Sequence, residues 1–324
     1  MASRQVLKAA DYATDVHNDW CPGCGDFGIL RTIQMALAEM QLDPSKVAIV
    51  SGIGCSAKTV HYVRTYGIHT IHGRPLPFAT GVKLANPNLE IVCVGGDGDG
   101  LGIGAGHFVN SGRRNLDMLY MIFDNGVYGL TKGQASPTLR LGVKTKSLPA
   151  PNLYEAVNPL WLALASGATW VGRGYSYDIK GLVALVRQGI EHRGYAFLDV
   201  LQPCPTYNNL NTKEWYGGDD RKDEQGRAMP RVYALANTGY DPIVRGPEEV
   251  DAKITQAVSK AMEWGEKIPL GVFYKNELVP TFEDRIGGRI PQYAENPPAV
   301  QRIADSEGRP VTDLSRFFNA LAVN

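Results

Sequence analysis

An α/β fold, with a mostly parallel sheet and helices on both of its faces, is the architecture this sequence predicts. Three observations carry that expectation. Short apolar runs rich in valine and isoleucine, such as Val47-Ala48-Ile49-Val50 and Ile91-Val92-Cys93-Val94, alternate with stretches of helical periodicity. Each run is short and apolar throughout, so it reads as a strand covered on both faces. Turns bearing glycine, cysteine and asparagine follow these strands, at the carboxyl ends where such sheets bind ligands.

Taken in chain order, residues 27–40 set Ile29, Leu30, Ile33, Leu37 and Met40 near one face at helical spacing, with Asp26 as a candidate cap and Asp43-Pro44 beyond the end. The strand at 47–50 runs into Ser51-Gly52-Ile53-Gly54-Cys55, and a second helix is expected over 57–66. The strand at 91–94 leads through a glycine-dense turn to a helix near 104–113. A third strand, 118–123, ends at Asp124-Asn125-Gly126. Helices at 159–166 and 178–192 and strands at 169–172 and 196–202 complete the βαβ pattern. Beyond about Pro205 the chain turns polar, with one helix (248–264), one strand (271–274) and a tail rich in proline and charge. That segment is too poor in apolar periodicity for a core of its own and is expected to wrap the main domain or a partner.

The chain of 324 residues is 44% hydrophobic and carries 33 basic and 33 acidic side chains. It is long enough for a large core. Its balanced charge gives no field for nucleic acid or an anionic membrane. No apolar run approaches membrane-spanning length, and residues 1–12 mix Arg4 and Lys8 with polar residues, without a signal core. A cytoplasmic protein is expected.

Five cysteines in a large chain without a secretory signal argue against a disulfide framework. Cys21 and Cys24 share the tight turn Trp20-Cys21-Pro22-Gly23-Cys24-Gly25 ahead of a helix, a pair able to chelate iron or zinc or to form a redox disulfide. A thioredoxin-like turn needs an apolar strand before it, and Asp15-Val16-His17-Asn18-Asp19 is not one. Cys55 follows Gly52-Ile53-Gly54 at a strand end, and Cys204 stands between Pro203 and Pro205 at another. Cys93 sits inside a strand, as a small core residue does. Four loop thiols suit a [4Fe–4S] cluster or a Cys₄ zinc site, and unrelated thiols remain a third possibility.

Gly95-Gly96-Asp97-Gly98-Asp99-Gly100 lies between a strand and a helix. Its glycines admit a phosphate close to the backbone, and the helix start supplies N–H donors. Neither a dinucleotide fingerprint nor a Walker lysine is present. Asp97 in an anion site requires a cation between carboxylate and phosphate, and magnesium takes such mixed oxygen ligands. Asn125, 28 residues on at the end of the next strand, supplies a second oxygen.

Gly-Asp-Gly followed at this distance by asparagine resembles the signature of thiamine-diphosphate enzymes. Joined by Cys-Pro-Gly-Cys-Gly, Gly-Ile-Gly-Cys, His72-Gly73-Arg74 and Leu130-Thr131-Lys132-Gly133-Gln134, it resembles the beta subunit of the archaeal-type two-subunit 2-oxoacid:ferredoxin oxidoreductases, closely over residues 17–210 and loosely beyond. The resemblance implies a thiamine-diphosphate-binding fold over 1–205 with a C-terminal extension over 206–324 that packs on the main domain and the partner. It implies that Cys21, Cys24, Cys55 and Cys204 hold a [4Fe–4S] cluster, and that Asp97, Asn125 and the Val127 carbonyl hold Mg²⁺. Ile53, Gly54, Cys55, Ser56, His72, Gly73, Arg74, Pro75, Gly98, Asp99, Gly129 and Leu130 would line thiamine diphosphate. Lys58 would pair with the substrate carboxylate or coenzyme A. Lys132, where many relatives carry glycine, would bear on substrate choice. The activity implied is coenzyme A-dependent oxidative decarboxylation of a 2-oxoacid to acyl-CoA and CO₂, with electrons passing through the cluster to ferredoxin. The pyrimidine-activating half of the site is missing from this chain, so an alpha, or fused gamma–alpha, subunit is implied. The alternative is a subunit of a non-redox thiamine-diphosphate decarboxylase or synthase. A thiol oxidoreductase using Cys21 and Cys24 and a cluster-bearing scaffold without thiamine are further competitors.

Overall fold

The computed structural model describes residues 6–322, so Arg4 and the rest of 1–5 in the expected leaderless N-terminus lie outside the described residues. Its strands are β1 (Val47–Ser51), β2 (Tyr66–His69), β3 (Glu90–Gly96), β4 (Met118–Asp124), β5 (Val127–Tyr128), β6 (Gln134–Ala135), β7 (Trp170–Tyr175), β8 (Tyr195–Leu201), β9 (Val232–Ala234) and β10 (Ile268–Lys275). Its helices are α1 (Asp26–Glu39), α2 (Thr59–Tyr62), α3 (Pro75–Ala85), α4 (Ala105–Arg114), α5 (Pro159–Ser166), α6 (Ile179–Glu191), α7 (Lys213–Gly217), α8 (Val250–Ala261), α9 (Phe282–Arg289) and α10 (Ser315–Leu321). Eight strands form one sheet in the order β2-β1-β3-β4-β8-β7-β10-β9, while β5 and β6 make a separate short ribbon. All pairings in the large sheet are parallel except β7 with β10.

Alternate side chains along the strands feed two cores, one on each face. Val47, Ile49, Val92, Val94, Met121 and Leu198 pack under α1 and α6. Ala48, Val50, Cys93, Tyr120 and Phe197 point the other way, against Leu76 of α3, Phe108 of α4, Ala163 of α5 and Ala257 of α8. Both faces are therefore dry, which is why the central strands carry almost no polar residue. An aliphatic side chain so buried contributes roughly 1.5–3 kcal/mol.

The sequence expectations differ from the structure at four points. Asp26 does not cap α1: Gly25 takes that position, and Asp26 is the first helical residue, buried at 1% exposure. The helix expected over 57–66 stops at Tyr62, because Val63 bridges Ala13 and Arg64 N–H donates to Tyr12 O at 2.7 Å, drawing the chain out toward β2. β2 itself escaped notice because it is a four-residue edge strand, mostly exposed. α3 escaped because Pro75, Pro77 and Gly81 break its pattern, although both prolines lie in the first turn, where no helical hydrogen bond is lost. Beyond residue 205, β9 and β10 join the main sheet, and Leu235, Val244, Ala257 and Phe273 enter its core.

At the sheet edge away from the glycine-rich turns, His192 is 2% exposed, with Nε2 at 2.8 Å from Thr169 Oγ1. Burial pulls its imidazole down to about 4, only partly offset by Glu277. The unfolded chain holds the ordinary value near 6.5, so it binds the extra proton first as the pH falls. The stability from the neutral ring is complete above pH ~6.5 and is lost toward pH ~4, about 3 kcal/mol in all. Urea denaturation should therefore show a smaller drop between pH 7 and pH 4.5 for His192→Gln than for the wild type. Equal drops would remove His192 from the account.

Candidate functional site

The glycine-dense turn after β3 spends its two aspartates in opposite directions. Asp97, 1% exposed, accepts from Gly98 N at 3.0 Å through Oδ1. Its Oδ2 takes Gly126 N at 2.9 Å, Ser136 Oγ at 2.5 Å and Thr138 Oγ1 at 2.6 Å. It thus clasps the loop after β4. Asp99, 2% exposed, accepts through Oδ1 from Ile53 N at 3.0 Å and Gly73 N at 2.8 Å, with His72 Nδ1 at 3.0 Å. It clasps the loops after β1 and β2. Its Oδ2 is buried without a partner. The sequence set Gly98 and Asp99 together as cofactor-lining; the structure spends the Asp99 carboxylate on the two neighbouring loops. Gly98 lies under the Tyr128 ring, so tightly that an added Cβ would meet Cε1 at 2.2 Å.

Asn125 follows β4. Its Oδ1 accepts from Val127 N at 2.9 Å, and its Nδ2 donates to Gln202 Oε1 at 2.7 Å. Thr138 Oγ1 also lies 2.7 Å from Asp124 Oδ1, so one hydroxyl stands between two buried carboxylates. Burial and the charge of Asp97 push Asp124 up to about 8, and burial raises Asp97. Both carboxylates resist ionising, chiefly because they are buried, and Asn125 Oδ1 keeps a second lone pair free to accept.

The four loop cysteines line one cavity of about 200 Å³, shared with Asn125, Gly129 and Leu130. The Cys21–Cys24 turn closes with Cys24 N–H donating to Cys21 O at 3.0 Å, over Gly23 at φ 78°. Gly25 N–H donates to Pro203 O at 3.1 Å, tying this turn to the Cys204 loop. Trp20 Nε1 donates to the Cys55 carbonyl at 2.8 Å and packs edge-on against Tyr62, tying it to the Cys55 loop. Gly129 leaves room at the Cys55 sulfur, where a Cβ would stand 3.3 Å away. Cys93 is wholly buried in β3, apart from the cavity, as expected. Burial pushes Cys55 up to about 12 and Cys24 and Cys204 above the ordinary thiol range, with Asp26 and the other thiols adding to the effect. Among the described residues no group of three or more His, Cys, Asp or Glu side chains forms a ready site for a single metal ion. Four zinc–sulfur bonds of about 2.3 Å would draw the sulfurs to roughly 3.8 Å of one another. All four loop thiols are on the walls of the one cavity.

Other expected residues fall as follows. Lys58 lines the cysteine cavity, but its Nζ is held by Asp19 Oδ2 at 2.8 Å, and Tyr62 OH donates to Asp19 Oδ1 at 2.7 Å. Burial would lower the Lys58 pKa, and the Asp19 hydrogen bond and charge outweigh it and raise it. Ser56 is buried with an unpartnered hydroxyl. Arg74 Nη1 braces Gly73 O and Ile103 O, and Pro75 begins α3. Gly54 has open space on its Cβ side, and Val127 is 2% exposed. Lys132 is exposed on the Gly129–Gly133 loop, at φ 80°, and does not line the cavity. Sequence reasoning missed Asp19, Trp20, Thr138 and Gln202. Only Trp20, beside Cys21, carried a signal; the rest act through contacts with residues distant in the chain.

Residues 52–200 match the family model for the C-terminal TPP-binding domain of thiamine pyrophosphate enzymes, and 204–289 that for the C terminus of the pyruvate ferredoxin oxidoreductase beta subunit. The chain is 56% identical over 300 residues to a 2-oxoacid:ferredoxin oxidoreductase subunit beta of Saccharolobus solfataricus, covering 92% of this chain and 94% of the relative. It is 53% identical to 2-oxoacid:ferredoxin oxidoreductase 1, subunit beta, of Aeropyrum pernix, covering 100% and 99%. A solved structure of 2-oxoglutarate:ferredoxin oxidoreductase from Magnetococcus marinus, with 2-oxoglutarate, coenzyme A and succinyl-CoA bound, superposes with a TM-score of 0.78 at 33% identity, covering 100% of this chain and 98% of that one.

The close approach at Gly52 gives a direct test of the Asp99 clasp. A Cβ there would sit 1.9 Å from Asp99 Oδ2, whereas at Gly81 of α3 it meets nothing within 4 Å. Gly52→Ala should destabilise the chain by about 1–3 kcal/mol in chemical denaturation. Gly81→Ala should be neutral or stabilise it by up to about 1 kcal/mol. Similar small effects from both would refute the clasp.

Proposed function

Because the chain belongs to the beta subunits of the 2-oxoacid:ferredoxin oxidoreductases, we propose that it carries the cofactors on which the oxidative decarboxylation of a 2-oxoacid depends. Cys21, Cys24, Cys55 and Cys204 hold a [4Fe–4S] cluster. Asp97, Asn125 and the Val127 carbonyl hold Mg²⁺, and the Gly98-Asp99 turn lines thiamine diphosphate. What supports this above all is that the four loop thiols share one cavity with Asn125, so the sulfur site and the metal–diphosphate site meet at a single side chain. When bound, thiamine diphosphate supplies the electron sink for decarboxylation and the cluster a one-electron acceptor.

The chain's own residues do the positioning. Asp97 and Asp99 fix three loops around the diphosphate turn, Trp20 covers the thiol cavity, and Gly129 leaves room beside Cys55. Lys58, reached through Asp19, offers a cation for a substrate carboxylate or for coenzyme A, and Lys132 bears on which 2-oxoacid is accepted. The Magnetococcus relative was solved with 2-oxoglutarate and coenzyme A, which favours those ligand classes here. Ferredoxin takes the electrons, an alpha subunit completes the site, and the enzyme works in the cytoplasm. No helix among the described residues is long and apolar enough to cross a membrane.

Anaerobic co-purification with the partner subunit tests the assignment. The wild-type complex should be brown and contain iron, sulfide and thiamine diphosphate. Cys204→Ser should lose iron while keeping thiamine diphosphate, and Asp97→Ala should do the reverse. A colourless wild-type complex that still decarboxylates 2-oxoacids would favour a non-redox thiamine enzyme. The chain without its partner should be inert, and activity from it alone would contradict the divided site.

A further inference from the structure

A second cavity, of about 270 Å³, opens beside the sheet and shares no lining residue with the cysteine cavity. Two arginines face it. Arg173 on β7 is 2% exposed; its Nε donates to Asp199 Oδ2 at 2.8 Å, and its Nη1 is buried with no partner. Arg140 makes no side-chain hydrogen bond or ion pair among the described residues; its guanidinium lies 5.1 Å from the centre of the Trp264 ring, which Arg173 also approaches at 5.6 Å. The two cations are close enough that Arg173, together with burial, lowers the Arg140 pKa. No carboxylate bridges them.

The rest of the lining favours the same sign of ligand. The first turn of α5 opens on the cavity, with Asn158 as its cap and Trp161 on its wall. Pro159 has no N–H, and the N–H groups of Trp161 and Leu162 donate to Asn158 at 3.1 and 3.0 Å, so what this terminus adds is mainly the partial positive charge of the helix. The opposing end of α8 is blunted, because Asn158 Nδ2 donates to Ala261 O at 2.8 Å. Asp124 is the one acidic residue in the lining, and its Oδ1 accepts from Thr138. A buried guanidinium with free N–H groups is costly unless an acceptor meets it. Its planar fork matches a carboxylate or phosphate in two bonds. Trp161 and Met262, 49% and 59% exposed, flank the cavity and leave it an apolar rim.

We propose that this cavity binds a small oxyanion, a carboxylate or phosphate on an apolar or aromatic body, with Arg140 and Arg173 as its forks and Trp264 as its floor. The site is independent of the cluster assignment, and the wall between it and the Asp97 turn is the Asp124–Thr138 pair. Titration calorimetry on the complex with its partner, loaded with thiamine diphosphate and Mg²⁺ so that the diphosphate site is filled, tests it with inorganic phosphate and with benzoate in separate arms. One saturable site is expected in at least one arm, and the tighter arm identifies the kind of oxyanion. Arg140→Gln should weaken binding about tenfold or more, with Arg140→Lys between the two, since a charge-assisted bond is lost or replaced by a point charge. The melting temperature and oxidoreductase activity of Arg140→Gln should match the wild type. No saturable binding in either arm, or an affinity unchanged in Arg140→Gln, would overturn the proposal.

Discussion

The loops that build this site are held by the two buried carboxylates of a single turn. Asp97 and Asp99 are two residues apart, yet one accepts hydrogen bonds from the loop after β4 and the other from the loops after β1 and β2. Three loops from neighbouring parallel strands are thereby fixed to a fourth. Each carboxylate is nearly inaccessible to water, so its interactions with backbone N–H groups are unscreened and costly to break. The glycines around them follow from this close approach. At Gly52 there is no space for a Cβ beside Asp99, and at Gly98 none beside Tyr128. A loop cluster held this way is already organised before any ligand arrives, and organisation of that kind is what a cofactor site requires.

The cysteine cavity uses a different device. Its three loops are joined by neutral hydrogen bonds, from Gly25 N to Pro203 O and from Trp20 Nε1 to Cys55 O, and by aromatic packing. Of the charged residues lining it, Asp19 and Lys58 pair with each other, and the charge of buried Asp26 raises the Cys24 and Cys55 values. The Cys24, Cys55 and Cys204 thiols resist ionising in such surroundings, so Cys24 is poorly suited to act as the thiolate of a dithiol redox pair. A metal-bearing group changes the balance, because thiolate ligands are deprotonated by the metal they bind. The same surroundings that disfavour free thiolates would shelter the proposed cluster from water.

The sequence made the central sheet legible because parallel strands buried on both faces are apolar at nearly every position, the Arg173–Asp199 pair of β7 and β8 being an exception. The strands of 47–50, 91–94 and 118–123 were each located to within a residue or two of their ends. What it hid were features decided by distant contacts. Strand β2 exists because the chain at 63–65 is captured by residues 12–13, and α3 survives two prolines because they fall in its first turn. The strand read at 271–274 is β10, which Phe273 anchors in the main core, whereas three-residue β9 was masked by the polar segment around it. In the site, the paired cofactor motifs were visible as spacing. The partners that fix them, such as Thr138 between Asp97 and Asp124, were not, since a threonine in a polar loop carries no local signature.

Lys58 lines the thiol cavity while its ammonium is paired with a carboxylate of the same chain. A lysine one turn past Cys55 is expected to reach substrate; it lines the cavity with its Nζ held by Asp19, whose other carboxylate oxygen accepts from Tyr62 OH. The ion pair is partly open to solvent, with side-chain exposures of 25% for Lys58 and 57% for Asp19, and such pairs are worth about 0–1 kcal/mol. A carboxylate ligand bound in a drier position close to Lys58 can outbid that, because the same charge attracts more strongly where the dielectric is lower. Asp19 therefore keeps the ammonium charged and aimed at the cavity mouth without locking it. The latch also joins the residue two before Cys21 to the residue three after Cys55, so moving Lys58 loosens a tie between two thiol loops. Were a carboxylate ligand to draw Lys58 away, the packing of the thiol cavity would change with it through one weak ion pair.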